Sequence, residues 1–195
     1  MHRRILFLIF IIVGNWPAPA AADWLLSPFA GVRFAADSTF VTGFQGSERS
    51  KFTWGSSFGL LNDKGFGVEG EFAWVPGFFE NEGITPRSRV ITLMGNVLIS
   101  TPSGVASYGL RPYLVGGVGL LHARAGRERV DFVHSDLFGL DIGGGAIGPL
   151  TPRTSVRFDL RYFRNLSNDE EADVIGDEGT QLSFWRATLG LTFRF

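Results

Sequence analysis

Charged side chains alternate with apolar ones in two short stretches that could form a buried ion-pair network. Glu69 and Glu71 lie two positions apart in "FGVEGEFAW", and Arg157, Asp159 and Arg161 alternate in the same way in "SVRFDLRYF". Residues two apart on a strand point to the same face of the sheet. The charged residues predicted to share one interior are Arg33, Glu69, Glu71, Asp141, Arg157, Asp159, Arg161, Arg186 and Arg194.

These interior charges are nearly balanced, with four carboxylates against five guanidinium groups. Buried charges persist only when they are paired and hydrogen-bonded. We therefore expect a structural salt-bridge network that fills the interior. The alternative is a narrow or gated ion path through the same side chains.

Nucleophilic catalysis has weak support in this sequence. Once a leader is removed, His122 and His134 are the only histidines, and Ser135 follows His134 directly. Adjacent residues on an extended strand point to opposite faces, so Ser135 is poorly placed to pair with His134. With no cysteine in the chain, thiol chemistry and disulfides are excluded. The sequence predicts no enzyme activity and no cofactor.

Two charged stretches of the sequence favour surface roles. The stretch "SNDEEADVIGDEG" carries six acidic residues, but its spacing lacks the glycine and glutamate positions of an EF-hand loop. We interpret it as a solvated loop and predict no metal site. Arg124, Arg127 and Arg129 form a basic group that could contact the phosphates of an anionic surface partner.

The elements that carry these residues show a two-residue period. In the final segment, Trp185, Ala187, Leu189, Leu191, Phe193 and Phe195 alternate with polar or small residues. Strict alternation over more than ten residues predicts a strand with one apolar face, long enough to cross a bilayer. Eight such segments are predicted, at about 24–35, 52–61, 66–78, 89–100, 111–123, 137–148, 155–164 and the C-terminus. Segment 111–123 is apolar on both parities, so its facing is open.

The N-terminus has the pattern of a secretory signal. A positive start at His2–Arg4 precedes an apolar run at Ile5–Val13, and small residues at Ala20–Ala22 offer a cleavage site. We predict a removed signal peptide at 1–22 and one barrel domain at 23–195. Loss of two arginines leaves 16 basic and 19 acidic residues, a net charge of −3. This charge and the lack of a strong basic patch argue against nucleic-acid binding.

Connections of alternating length favour a membrane barrel. Short turns are predicted at 62–65, 101–110 and 149–154, and longer loops at 36–51, 79–88, 124–136 and 165–180. In hydrocarbon every backbone polar group needs a protein partner, which only helices and closed barrels provide. The sequence therefore predicts an all-β fold, an eight-stranded antiparallel up-and-down transmembrane β-barrel with its longer loops outside. A soluble lipocalin-like barrel, with its apolar residues inside, is the alternative.

Aromatic residues gather near both ends of the predicted strands, as the two interfacial girdles of a membrane barrel require. Those predicted near the inner rim are Trp24, Phe66, Phe193 and Phe195. Those predicted near the outer rim are Phe34, Trp54, Trp74, Phe78, Tyr162 and Trp185.

The last residues resemble the C-terminal signal of outer-membrane proteins, with Thr188, Gly190, Phe193 and Phe195 in the matching positions. Together with "RPYLVGGVGLLHA" and "FGLDIGGGAIG", the chain is similar to the small outer-membrane β-barrel family of the OmpA/OmpX type. The resemblance implies an outer-membrane location, contact with outer-membrane lipid and lipopolysaccharide, and recognition by the barrel-assembly machinery. It also raises a third function, lipid A modification by a Ser–His pair. We expect a structural or surface-interaction role, with loops 36–51 and 165–180 as candidate contacts for a surface partner and a minor porin as the alternative.

Overall fold

The computed structural model describes six stretches of the chain, at residues 22–38, 50–78, 87–102, 109–127, 130–166 and 182–195. Side chains at 37–38, 87, 123–127 and 130–136 are outside the description. The predicted signal peptide therefore lies outside the described residues except for Ala22, and so do most of loops 36–51 and 165–180. No helix among the described residues is both long and apolar enough to cross a membrane.

Eight antiparallel strands close into a barrel in which each strand pairs with its neighbours in sequence, and β1 pairs with β8. The strands are β1 (Ala22–Ser38), β2 (Lys51–Asn62), β3 (Phe66–Pro76), β4 (Arg87–Ser100), β5 (Arg111–Arg127), β6 (Val130–Thr151), β7 (Thr154–Asn165) and β8 (Leu182–Arg194). The predicted fold class is confirmed.

Alternation along each strand separates an apolar outer surface from a buried interior. On β3 the carboxylates Glu69 and Glu71 are buried, while Val68 and Phe72, which flank them in sequence, are exposed. The facing of β5, which the sequence left open, is fixed by the burial of Tyr113, Val115 and Leu121 and the exposure of Leu114 and Leu120. Large exposed apolar side chains occur on all eight strands, which is the surface that a bilayer requires.

The strands are tilted, as closure of a barrel demands. Following the paired residues around the barrel from Leu26 returns to β1 at Asp37, eleven residues further along. Part of this offset is a bulge between Phe34 and Asp37, where Ala35 adopts a φ of 46°. Residues at similar distances from their strand ends therefore do not lie at the same height in the lumen.

Short turns lie at the end where β1 begins and β8 ends, and we take this end as periplasmic. The β2–β3 turn needs Gly65, which adopts a φ of 96° and donates its N–H to Asn62 O at 3.1 Å. The β6–β7 turn is shorter than predicted, because only two residues separate Thr151 from Thr154. Pairing of β1 with β8 skips Pro28, which has no N–H to donate.

The predicted loop 124–136 is mostly strand, which corrects the sequence analysis. β5 continues to Arg127 and β6 begins at Val130, so the two form a hairpin whose outer part extends past β7. Pairing of β6 with β7 begins only at Gly139, opposite Asn165. The sequence of this extension is charged and lacks apolar alternation, so the two-residue period that marks the lipid-facing strands does not reveal it.

Candidate functional site

Seven of the nine predicted interior charges meet in the middle of the lumen. We call these residues the ionic cluster: Glu69, Glu71, Asp141, Arg157, Asp159, Arg161 and Arg186. They come from β3, β6, β7 and β8, and each exposes no more than 7% of its surface. All seven occupy inward-facing positions of their strands. Because the strands are tilted, residues at different distances from their strand ends lie at the same height in the lumen.

Arg157 forms a two-pronged contact with Glu69 across the lumen. Its Nη1 and Nη2 donate to Glu69 Oε2 and Oε1 at 2.7 and 3.2 Å. Its Nε donates to Tyr113 Oη at 2.8 Å, and Tyr113 in turn donates to Asp159 Oδ2 at 2.5 Å. The guanidinium also lies 4.8 Å over the Tyr113 ring. Tyr113 is thus part of the site, although the sequence analysis did not identify it.

Arg161 is the centre of the cluster and is surrounded by four carboxylates. Its nitrogens lie 2.6 Å from Glu69, 3.2 Å from Glu71, 3.0 Å from Asp141 and 2.7 Å from Asp159. Hydrogen bonds to ionised partners in a medium of low dielectric constant are among the strongest in proteins. Removal of Arg161 would leave Asp141 without a counter-charge and would take one cationic partner from each of the other three carboxylates.

Arg186 links the cluster to the closing strand of the barrel. Its Nη2 donates to Glu71 Oε1 at 2.6 Å. Its guanidinium lies 4.6 Å from the Phe163 ring centre and 5.1 Å from that of Phe29, a cation–π arrangement on both rings.

Two predicted members lie apart from the cluster, which corrects the sequence analysis. Arg194 is on the inward parity but sits at the periplasmic rim, where its Nε lies 3.2 Å from Asp23 Oδ2 and the side chain is 43% exposed. Arg33 is fully buried but nearer the outer end, where its Nη2 donates to Phe78 O and its guanidinium lies 4.4 Å over the Phe78 ring. Parity gives the face of a residue but not its height or reach.

Glycines on β6 make room for these large side chains. A Cβ at Gly143 would lie 2.9 Å from Arg161 Cγ, and one at Gly145 would lie 2.7 Å from Tyr113 Oη. Both approaches are closer than packed carbon atoms allow. The glycine-rich sequence of β6 thus forms the wall against which Arg161 and Tyr113 rest.

Apolar side chains cover the ionic cluster at both ends. The outer apolar cluster consists of Ala36, Val75, Phe78, Val90, Met94, Leu121, Leu137, Phe163, Leu182 and Phe184, all at most 2% exposed. The inner apolar cluster consists of Leu25, Leu61, Leu98, Tyr113, Val115 and Ile147. The sequence analysis assigned Phe78 to the lipid-facing outer girdle, but it points inward and stacks edge-on with Phe184 at 5.2 Å. The two-residue period could have identified the outer apolar cluster. Val75 has the same strand parity as the inward-facing Glu69 and Glu71, and Phe163 has the same parity as Arg161.

The other predicted residues occupy varied places. Thr188 is buried on the inward face, Gly190 packs against Phe29, and Phe195 is 74% exposed at the periplasmic end. The backbone of Arg124 pairs with Arg89 of β4 and with His134 of β6. Arg127 follows a register shift, and Arg129 lies outside the described residues. Within the part of the chain that the structure describes, no group of three metal-ligating side chains is present.

A closed barrel with an apolar outer surface and a charged interior defines the class: an integral eight-stranded β-barrel of the outer-membrane type. No protein-family model and no curated protein sequence matches the chain. Several solved structures, however, match the fold of the chain. Neisserial surface protein A has a TM-score of 0.65 at 14% identity, over 90% of this chain and 99% of that one.

Two further solved structures have the same fold. The outer membrane protein OprG from Pseudomonas aeruginosa has a TM-score of 0.61 at 16% identity, over 90% of this chain and 96% of that one. The attachment invasion locus protein Ail of Yersinia pestis, in complex with the heparin analogue sucrose octasulfate, has a TM-score of 0.54 at 15% identity, over 90% and 99%. The predicted resemblance to small outer-membrane barrels is confirmed at the level of the fold, and the apolar outer surface is the one that a membrane-spanning barrel requires.

Proposed function

We propose that this protein is an integral outer-membrane barrel whose lumen is closed by its own side chains and which acts through its outer loops, in a structural or surface-interaction role. The observation that carries the closed lumen is its layering. The ionic cluster lies between two apolar clusters, and its central arginine binds four carboxylates.

The free space within the ionic cluster supports closure. A cavity of about 10 Å³ lies beside Glu71, Arg157 and Arg161, with Ser27 and Ser57 in its wall. This volume holds about one water molecule. An ion path needs a continuous wet passage, and an eight-stranded barrel is just wide enough for its side chains to fill.

Single-channel recording in planar lipid bilayers tests this proposal. Refolded wild-type protein should give no discrete conductance steps. The double variant Glu69→Gln/Glu71→Gln should give detectable openings, because Arg157, Arg161 and Arg186 lose carboxylate partners. Arg194→Gln is the matched control, since its ion pair is at the exposed rim. Regular ohmic steps from the wild type would favour the alternative, a minor porin.

The outer end supports a surface role. The β5–β6 hairpin extends past β7, and loops on a rigid scaffold commonly carry binding function. Ail, which has the same fold, is an attachment invasion locus protein whose structure was solved in complex with the heparin analogue sucrose octasulfate. Loops 36–51 and 165–180 are the candidate contacts. Cells that express the chain with 167–180 replaced by a glycine–serine linker should lose adhesion to a surface that wild-type-expressing cells bind, with equal amounts of folded barrel.

Lipopolysaccharide is the second proposed partner, through Arg124, Arg127 and Arg129. In support, Arg124 pairs in register with Arg89, whose guanidinium lies 5.9 Å over the lipid-facing Trp74 ring. Such a position suits contact with phosphates at the membrane surface. The triple alanine variant should retain less co-purified lipopolysaccharide than wild type, with Arg153→Ala at the periplasmic turn as control. Equal retention by the triple variant and wild type would contradict this contact.

We also propose that the protein is not an enzyme. The three solved structures with the same fold are a surface protein, an outer membrane protein and an attachment protein. In the backbone register, Ser135 pairs with Ala123 and His134 with Arg124, so the two are consecutive positions of one strand, and consecutive strand positions are not expected to form a Ser–His pair. Lipid A from cells with and without the protein should have the same acylation pattern, and a difference would restore the enzyme hypothesis.

A further inference from the structure

Three arginines occupy consecutive inward positions across the seam where the barrel closes. Arg161 of β7 pairs in register with Arg186 of β8, and Arg186 pairs in register with Arg33 of β1. Like charges directly opposite each other on neighbouring strands destabilise a sheet. The row therefore requires negative charge along its whole length.

The three arginines of this row differ in the number of carboxylates that they contact. Among the described residues, Arg161 contacts four carboxylates, whereas Arg186 contacts only that of Glu71. Arg33 contacts no carboxylate among the described residues, and its polar contact is with Phe78 O. Within the part of the chain that the structure describes, the Arg33 end of the row therefore has no carboxylate contact.

Four guanidinium nitrogens at that end are buried donors without an acceptor. They are Nε and Nη1 of Arg33 and Nε and Nη1 of Arg186, on side chains that are 0% and 1% exposed. A buried donor left without an acceptor costs about 1–3 kcal/mol, and more when it is charged. Because these two residues are direct cross-strand neighbours, one acceptor between them could serve both.

Aromatic rings decide from which side such an acceptor can approach. Phe78 stacks on the Arg33 guanidinium at 4.4 Å, and Phe29 and Phe163 lie 5.1 and 4.6 Å from that of Arg186. Stacked rings occupy the faces of a guanidinium and leave its N–H edge for an in-plane ligand. Phe78 and Phe163 belong to the outer apolar cluster, so this edge is screened from bulk water.

The local contacts at the seam favour a monovalent ligand. The buried Arg111 donates to backbone carbonyls near the periplasmic turns, so its charge belongs to the other end of the barrel. Arg33 and Arg186 carry two positive charges and, among the described residues, contact one carboxylate, that of Glu71, so a single monovalent anion would complete this local pairing.

We propose that the barrel binds one small inorganic anion, of the size of chloride, between Arg33 and Arg186. The tightly packed outer apolar cluster around the site favours a monoatomic ion over phosphate or sulfate. The ion completes the row of charges at the β1–β8 seam. This site goes beyond the proposed closed lumen and does not depend on any loop function.

Thermal unfolding of the refolded barrel at constant ionic strength tests the site, with chloride exchanged for gluconate. The unfolding midpoint should rise by about 3–5 °C for each tenfold increase in chloride above its dissociation constant, as expected for a ligand that binds only the folded state. Crystals soaked in bromide should show an anomalous scattering peak between the two guanidinium groups. Equal midpoints in both salts with no bromide peak would overturn the proposal.

Variants separate a specific site from general salt effects. Arg33→Gln should abolish the chloride dependence, whereas Arg164→Gln, a change to an exposed side chain on β7, should retain it. Chloride dependence that persists in Arg33→Gln would overturn the proposal, as would its loss in both variants. If Arg33→Gln does not refold, the bromide peak in wild-type crystals decides the question.

Discussion

Glu71 and Arg186, 115 positions apart in sequence, meet across the lumen with Oε1 and Nη2 separated by 2.6 Å. The same carboxylate lies 3.2 Å from Arg161, so it joins two of the three arginines at the seam. β8 carries Arg186 and pairs with β1 to close the barrel. The ion pair therefore ties the closing strand to β3 on another wall.

Replacement of a carboxylate in the ionic cluster should strongly destabilise the barrel. Glu71→Gln leaves Arg186 without its carboxylate partner, and breaking a buried ion pair costs about 3–5 kcal/mol. The midpoint of urea unfolding in lipid vesicles should fall accordingly. The exposed pair at the rim gives the contrast, since Arg194→Gln should cost about 0–1 kcal/mol. Equal losses in the two variants would contradict the layered account of the lumen.

The glycine wall of β6 should not tolerate a methyl group. In Gly145→Ala the new Cβ would lie 2.0 Å from Phe158 O and 2.7 Å from Tyr113 Oη, so the structure must shift. We expect a loss of about 1–3 kcal/mol, as for overpacked cores. Gly70→Ala is the matched control, because a Cβ there meets no atom within 4 Å. Equal refolding yield and unfolding midpoint for the two variants would show that β6 is not closely packed.

The outer surface should respond to charge according to depth. Leu189 and Leu150 are both 61% exposed, but Leu189 is in the middle of β8 and Leu150 is next to the last residue of β6. Leu189→Arg should cost about 2–4 kcal/mol, whereas Leu150→Arg near the interface should cost about 0–1 kcal/mol. Unfolding in lipid vesicles measures both. A soluble barrel would tolerate the two changes equally.

The predicted assembly signal can be separated from packing. Phe195 is 74% exposed, so Phe195→Ala should leave the unfolding midpoint of protein refolded in vitro unchanged. In cells the same change should lower the amount of folded barrel in the outer membrane, because recognition by the assembly machinery is weakened. Leu191→Ala, at a 44% exposed position on the same face, should reach wild-type amounts. Wild-type amounts of Phe195→Ala would contradict an address function.

The alternation of apolar and polar residues was enough to predict most of the fold, because a strand in a bilayer must alternate along its whole lipid-facing length. It therefore predicted eight strands and the inward facing of Glu69 and Arg157. It did not reveal the outer part of the β5–β6 hairpin, where no lipid enforces alternation.

Within the lumen, sequence patterns gave the face of a residue without its height. Arg33 and Arg194 share the inward face with the ionic cluster, yet one stacks on Phe78 and the other reaches the rim. Heights depend on strand tilt, which is set by closure of all eight strands. The outer apolar cluster was missed because large apolar residues such as Phe78 were expected to face lipid, whereas they also close the lumen.

The most direct test of a closed membrane barrel is gel mobility of outer-membrane fractions with and without boiling. A folded barrel resists detergent, so the unboiled protein should migrate differently from the boiled chain and should be found in the outer-membrane fraction. One position on the gel in both conditions, with the protein in the soluble periplasmic fraction, would contradict the account and favour a lipocalin-like barrel.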